Sequence, residues 1–91
     1  MKPHVRNYFR AFGYDESSVI LCECGCQKIA TDIHHVTPRS LGGKDTIDNL
    51  IALARNCHEA AHGSMARSHQ LKFKHIIANR WQNTSEKQTK I

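Results

Sequence analysis

Five side chains able to hold a metal or move a proton, His34, His35, Asn49, His58 and His62, are concentrated in the middle of a 91-residue chain. They stand in Asp32-Ile33-His34-His35, in Asn49-Leu50 and in Cys57-His58-Glu59-Ala60-Ala61-His62-Gly63, with Gly42-Gly43 between the first two groups. His58 and His62 are four apart, so on a helix they lie one above the other and can share one ion. His34 and His35 are adjacent, and on a strand alternation sends them different ways. One can then bind metal while the other stays free to move protons. Imidazole titrates near neutrality, which suits the free ring to deprotonating water. The pattern reads as a hydrolytic metal site. Asp32, on the same strand face as His34, can hydrogen-bond a liganding imidazole, or it is simply a surface carboxylate.

The elements that must position these groups follow from periodicity and punctuation. Val5, Phe9 and Phe12 recur at helical spacing, with Lys2, Arg6 and Arg10 as a basic stripe, which predicts a helix over about 4–12 ended by Gly13. Ser18 to Cys22 and Ala30 to Thr37 are β-prone, the residue before Pro38 being biased to stay extended. Gly42-Gly43 and Lys44-Asp45-Thr46 make a loop, and a helix from about Arg55 to His62 closes at Gly63. The order is β, β, α. A last helix is expected over 64–81, with Phe73, Ile77 and Trp81 on one stripe, and 82–91 as a frayed polar tail. Residues 1–81 are thus expected to form one domain with its core at 18–63.

The stretch from about Leu21 to Gly63 resembles the HNH nucleases of the ββα-metal (His-Me finger) fold. The resemblance rests on the DIHH string, the Pro38-Arg39-Ser40-Leu41-Gly42-Gly43 turn, Asp48-Asn49-Leu50 and the CHxxxHG ending. It implies an α+β fold, a ββα-metal core flanked by an N-terminal helix and a basic C-terminal helix. It also implies an endonuclease that hydrolyses DNA phosphodiester bonds with one divalent metal, leaving 5′-phosphate and 3′-hydroxyl ends. Carried over by position, His34, His58 and His62 are the metal ligands and His35 is the general base. Asn49 matches an asparagine that braces the loop or orients the base and only sometimes approaches the metal. An imidazole ligand set suits manganese, nickel, cobalt or zinc better than magnesium.

The family pattern also carries two Cys pairs around a structural zinc, and here the chain departs from it. Cys26 and Cys57 fall in place, but their expected partners are Glu23 and Ala54, while Cys22 and Cys24 lie one residue to either side of Glu23. Four thiols suffice for a tetrahedral site, although using both Cys24 and Cys26 requires a tight bite. Three thiols with another ligand, or no zinc, are the alternatives.

Ninety-one residues bury little apolar surface, so a metal staple would help. No apolar run of membrane-spanning length and no signal-peptide pattern is present, so the protein is expected in the cytoplasm and off the membrane. Clustered cysteines there read as metal ligands rather than disulfides. The net charge is +5. The excess lies beyond residue 63, where Arg67, Lys72 and Lys74 are candidates for DNA phosphate contacts; Arg39, Lys44 and Arg55 are candidates near the active loop. His4, His69 and His75 are read as surface or hydrogen-bonded residues outside the site. DNA is the expected partner, with a homodimer or a larger packaging or restriction-type complex as further possibilities. A rival reading is a zinc-stabilised nucleic-acid-binding module that does not cut.

Overall fold

The computed structural model describes residues 2–63 and 65–89, with side chains through Arg80. Helix α1 (Pro3–Phe12) leads into a turn-rich segment. Strand β1 (Asp32–His35), two 3-10 turns (Arg39–Leu41 and Ile47–Asn49), strand β2 (Leu50–Leu53) and helix α2 (Arg55–Ala61) follow, and helix α3 (Ala66–Thr89) comes last. Proline at the first turn of α1 gives up an N–H that would have no helical partner, and Gly13 ends the helix in the left-handed conformation at φ 72°. The predicted helices at 4–12 and 55–62 therefore stand within a residue. The backbone of α3 runs on to Thr89. Trp81 on its stripe and the tail at 82–91 lie outside the described side chains.

β1 and β2 pair antiparallel, with Asp32 opposite Leu53, Ile33 opposite Ala52, His34 opposite Ile51 and His35 opposite Leu50. Opposed residues share a face, so the sheet has two distinct sides. Ile51 and Leu53 pack with Val36, Ala61, Phe73 and Ile77 under α2 and α3. Leu50 and Ala52 pack with Tyr8, Ile20, Phe9 and Phe12 under α1. The two strands are the middle layer of a sandwich, and all four residues of β2 are fully buried.

This corrects the strand assignment. Ser18 to Cys22 is not a strand: it makes one isolated bridge, Leu21 to Ile29, with Ala30 N–H donating to Ile20 and Cys22 N–H to Lys28. The chain turns back at 23–26, and that turn gathers thiols instead of extending a sheet. The second strand is Leu50–Leu53. A run buried on both faces shows no alternation, so period-2 patterning does not reveal it. The strand expected at Ala30–Thr37 is also shorter, although Thr31 and Val36 still donate across to Leu53 and Asn49.

Glu23 ties the layers together. Its carboxylate accepts from Tyr8 Oη at 2.7 Å, from the Ala52 amide at 2.9 Å and from Arg80 Nη2 at 3.1 Å. Its own amide donates to the Ala52 carbonyl. Burial and the neighbouring Glu23 carboxylate push the Tyr8 hydroxyl far above its ordinary pKa, so it stays a donor.

In the loop between the strands, a Cβ placed on Gly43 would land on the Thr37 carbonyl. Gly43→Ala is therefore expected to destabilise the fold by about 1–3 kcal/mol. A urea midpoint equal to wild type would show that the loop yields freely.

Candidate active site

Alternation along β1 sends the two adjacent histidines to opposite faces, as their spacing predicts. His34 turns toward α2, where its ring centroid lies 4.9 Å from His58 and 5.3 Å from His62; the two helical rings are 4.9 Å apart. Each imidazole offers a nitrogen such that all three ligand atoms lie within 4.8 Å of one another. α2 supplies His58, the cap residue that ends it supplies His62, and the strand supplies the third.

The environment keeps these nitrogens available. His34 is 9% exposed, and burial, followed by the neighbouring His58 and His62, lowers its pKa to about 4. It is a neutral ring at pH 7, as a ligand must be. His58 Nδ1 lies 2.9 Å from Asp32 Oδ2, and Arg55 reaches the other Asp32 oxygen at 3.3 Å. A carboxylate only accepts, so Nδ1 carries the hydrogen and Nε2 keeps its lone pair for a metal. Asp32 thus serves a candidate ligand, but through His58 on α2 rather than through His34 on its own strand. The donor set fits a transition-metal ion of the imidazole-binding kind.

The lowered His34 pKa has a stability consequence for metal-free protein. The unfolded ring takes up a proton below about 6.5, whereas the folded ring resists until about 4. The stabilisation is complete above pH 6.5 and is lost as pH falls toward 4, by an amount on the order of 3 kcal/mol. Urea midpoints measured across that window should fall steeply for wild type and less steeply for His34→Asn. Parallel slopes would place the titration elsewhere.

On the other face, His35 Nε2 is 2.7 Å from Asp45 Oδ1, with the His35 side chain 14% exposed. The Nε2 hydrogen points at the carboxylate and Nδ1 is left as a base. This hydrogen bond from His35, with Arg39 at 3.2 Å adding to it, holds the Asp45 carboxyl below its ordinary pKa. His4, kept outside the site on sequence grounds, has its ring centroid 4.5 Å from that of His35. Neither Asp45 nor His4 is signalled locally, because each meets His35 through tertiary folding. His69 Nδ1 donates to the Met65 carbonyl, and His75 pairs with Asn79.

Asn49 faces the loop, away from the imidazole cluster. Its Oδ1 accepts from the Thr37 amide at 2.8 Å, and its Nδ2 donates to the Thr37 carbonyl at 3.1 Å and the Lys44 carbonyl at 2.9 Å. It clips the ends of the loop together at the point where β1 ends.

The four thiols converge despite their spacing. Cys24 Sγ is 3.1 Å from both Cys22 Sγ and Cys57 Sγ, and Cys57 Sγ is 3.6 Å from Cys26 Sγ. All four sulfurs lie within 4.8 Å of one another. Zinc–thiolate bonds of about 2.3 Å imply tetrahedral edges of about 3.8 Å, so the set fits a structural zinc. Cys22 and Cys24 flank Glu23 and fall on one side of the chain, while Glu23 turns the other way to Tyr8 and Arg80. The displacement by one residue is what frees Glu23 for the core. Ala54, where a thiol was expected, is buried against Cys22 and caps α2. The Lys28 amide holds the Cys26 thiol down at about 7, whereas hydrogen bonding with Cys24 and burial push Cys57 up.

Two clefts adjoin the site. One, of about 270 Å³, is lined by His34, His62, Arg67, Gln70 and Phe73. The other, of about 610 Å³, lies beyond the loop and includes Gly43, Lys44, Asn49 and Lys74. Arg39 and Arg55 are exposed but paired with Asp45 and Asp32, and Lys72 is exposed on α3.

A two-stranded antiparallel sheet with a following helix, carrying one histidine from the strand and two from the helix on a common point, defines a ββα unit of the metal-site type. Residues 21–64 match the family model of the HNH endonucleases. The likeness to that family lies in this segment. It is 41% identical over 51 residues to the type IV methyl-directed restriction enzyme EcoKMcrA of Escherichia coli (strain K12), a match covering 56% of this chain and 18% of that protein. It is 42% identical over 40 residues to the probable mobile endonuclease C of Enterobacteria phage T4, covering 44% of this chain and 19% of that protein. The matches therefore span under a fifth of each relative. Among the described residues, no helix is long and apolar enough to cross a membrane.

Proposed function

We propose that this protein is a metal-dependent endonuclease that hydrolyses DNA phosphodiester bonds, using His35 as general base and a single divalent ion held by His34, His58 and His62. The observation that carries this reading is the division of labour at the end of β1: three imidazoles converge on one side, and an unliganded imidazole is held by a carboxylate on the other. A module that only bound nucleic acid would have no use for the second half.

The chain's own residues account for much of the reaction. His35, with Nε2 tied to Asp45, accepts through Nδ1 a proton from the attacking water. The water oxygen bonds to phosphorus as the bond to the 3′ oxygen breaks, and the departing oxygen takes its proton from solvent. Asp32 keeps His58 in the ligating tautomer, and Asn49 holds the loop that carries Asp45. The chemistry such an ion supplies when bound is neutralisation of charge on a non-bridging oxygen and on the leaving oxygen. Arg67, beside His34 and His62, and Lys44, Lys72 and Lys74 contact flanking phosphates, as do Arg39 and Arg55 once exchanged from their carboxylates.

Residues 1–81 act as one domain with a zinc held by Cys22, Cys24, Cys26 and Cys57, in the reducing cytoplasm where free thiols persist. One site per chain cuts one strand at a time, so cleavage of both strands needs a second copy, a larger assembly or two successive nicks. The test is plasmid cleavage by metal-stripped protein resupplied separately with magnesium, manganese, nickel and zinc. Metal-dependent nicking or linearisation is expected. Salt-sensitive DNA binding by folded protein, without cutting in any metal, would replace this reading with the binding module.

A further inference from the structure

Helix α1 lies outside the 21–64 segment that matches the nuclease family, yet it touches both the proposed base and the residue that holds it. His4 sets its ring against His35, centroid to centroid 4.5 Å at an interplanar angle of 45°. Asn7 Nδ2 donates to the Asp45 carbonyl at 2.8 Å, and the Asp45 carboxylate is the group that holds His35 Nε2 at 2.7 Å. His4 and Asn7 are three residues apart, so they occupy neighbouring places on one helical face. We propose that α1 is a positioning element of the active site: His4 restrains the His35 ring directly, and Asn7 restrains it through Asp45.

Several features make the helix suitable for that task. A carboxylate carried on a loop orients its partner only as well as its own backbone is held, and Asn7 supplies a tether from outside the loop. The tether is itself anchored, because Tyr8, the next residue, is 1% exposed and donates to Glu23. α1 therefore meets His35 as part of the core rather than as a loose N-terminal arm. The contact is ring against ring, tilted at 45°, and His4 Nδ1 is buried without a hydrogen-bond partner, so no polar contact from that nitrogen explains the residue. With Asp45 on one side and His4 on another, few orientations of the His35 ring remain, and the orientation of a general base governs its rate contribution.

This inference rests on the nuclease reading for its kinetic test but not for its structural one. His4→Ala should lower kcat by roughly 10- to 100-fold, with KM, divalent-metal affinity and thermal midpoint near wild type. His4→Phe should recover most of the loss, since it restores a ring face. Asn7→Ala should act in the same direction, and the double variant should fall short of the product of the two, because both act on one ring. Wild-type kcat in both His4→Ala and Asn7→Ala would overturn the proposal.

Ring 15N and 13C signals of His35, followed in the same variants, should shift or broaden in His4→Ala and return in His4→Phe. Unchanged His35 signals would overturn the proposal whether or not the protein cuts DNA. Failure of wild type to cleave with any metal, with His35 signals still responding to His4, would reject the nuclease reading and keep α1 as the element that orients this ring.

Discussion

Replacing His35 with alanine is expected to lower the proposed DNA cleavage by a factor of about 10² to 10⁴, the usual worth of a positioned general base, with divalent-metal affinity and DNA binding unchanged. The separation follows from the fold. His34 and His35 are neighbours in sequence but leave β1 on opposite faces, His34 toward His58 and His62, His35 toward Asp45 and His4. Truncating one face removes no ligand from the other. His58→Ala provides the converse, losing metal affinity while the His35–Asp45 pair stays intact. Calorimetric metal titration beside single-turnover cleavage distinguishes the two. Loss of metal binding in His35→Ala would mean that the base and ligand roles are wrongly divided.

Stripping metal from the thiol cluster is expected to unfold the protein. A structural zinc contributes about 10–16 kcal/mol of apparent binding energy in small domains, which equals or exceeds the total of about 5–15 kcal/mol that holds a typical domain folded. The cluster joins the turn at 23–26 to the first turn of α2 through Cys57, so its loss frees both Glu23 and the helix carrying His58 and His62. Four thiols this close repel one another as thiolates and cannot all ionise without a cation between them. Cys57→Ala, or wild type treated with a zinc chelator, should lose its near-UV circular dichroism, whereas His58→Ala should keep it. Native signal in chelated protein with no zinc by elemental analysis would show that the apolar layers suffice.

Local features of the sequence carried much of this. The proline and Gly13 around α1, the four-residue histidine spacing on α2 and the adjacent histidine pair each depend on a few consecutive residues, and each stands in the structure. What escaped depends on distance or on lost pattern. Leu50 to Leu53 is buried from both sides and so has no polar face to mark it as a strand. Asp45 and His4 reach His35 from a loop and a separate helix, and neither has a motif of its own. The cysteines read as irregular against a fixed spacing, although alternation at 22, 23 and 24 explains why two thiols and one carboxylate serve opposite sides.

Glu23 finally bears on how the molecule is made. Its carboxylate is closed by Tyr8 from the helix synthesised before it and by Arg80, 57 positions later. A growing chain emerging from the ribosome has the histidines, the thiols and both strands outside before the guanidinium that seals the middle layer arrives. Completion of the core is thereby deferred until α3 has emerged and docked.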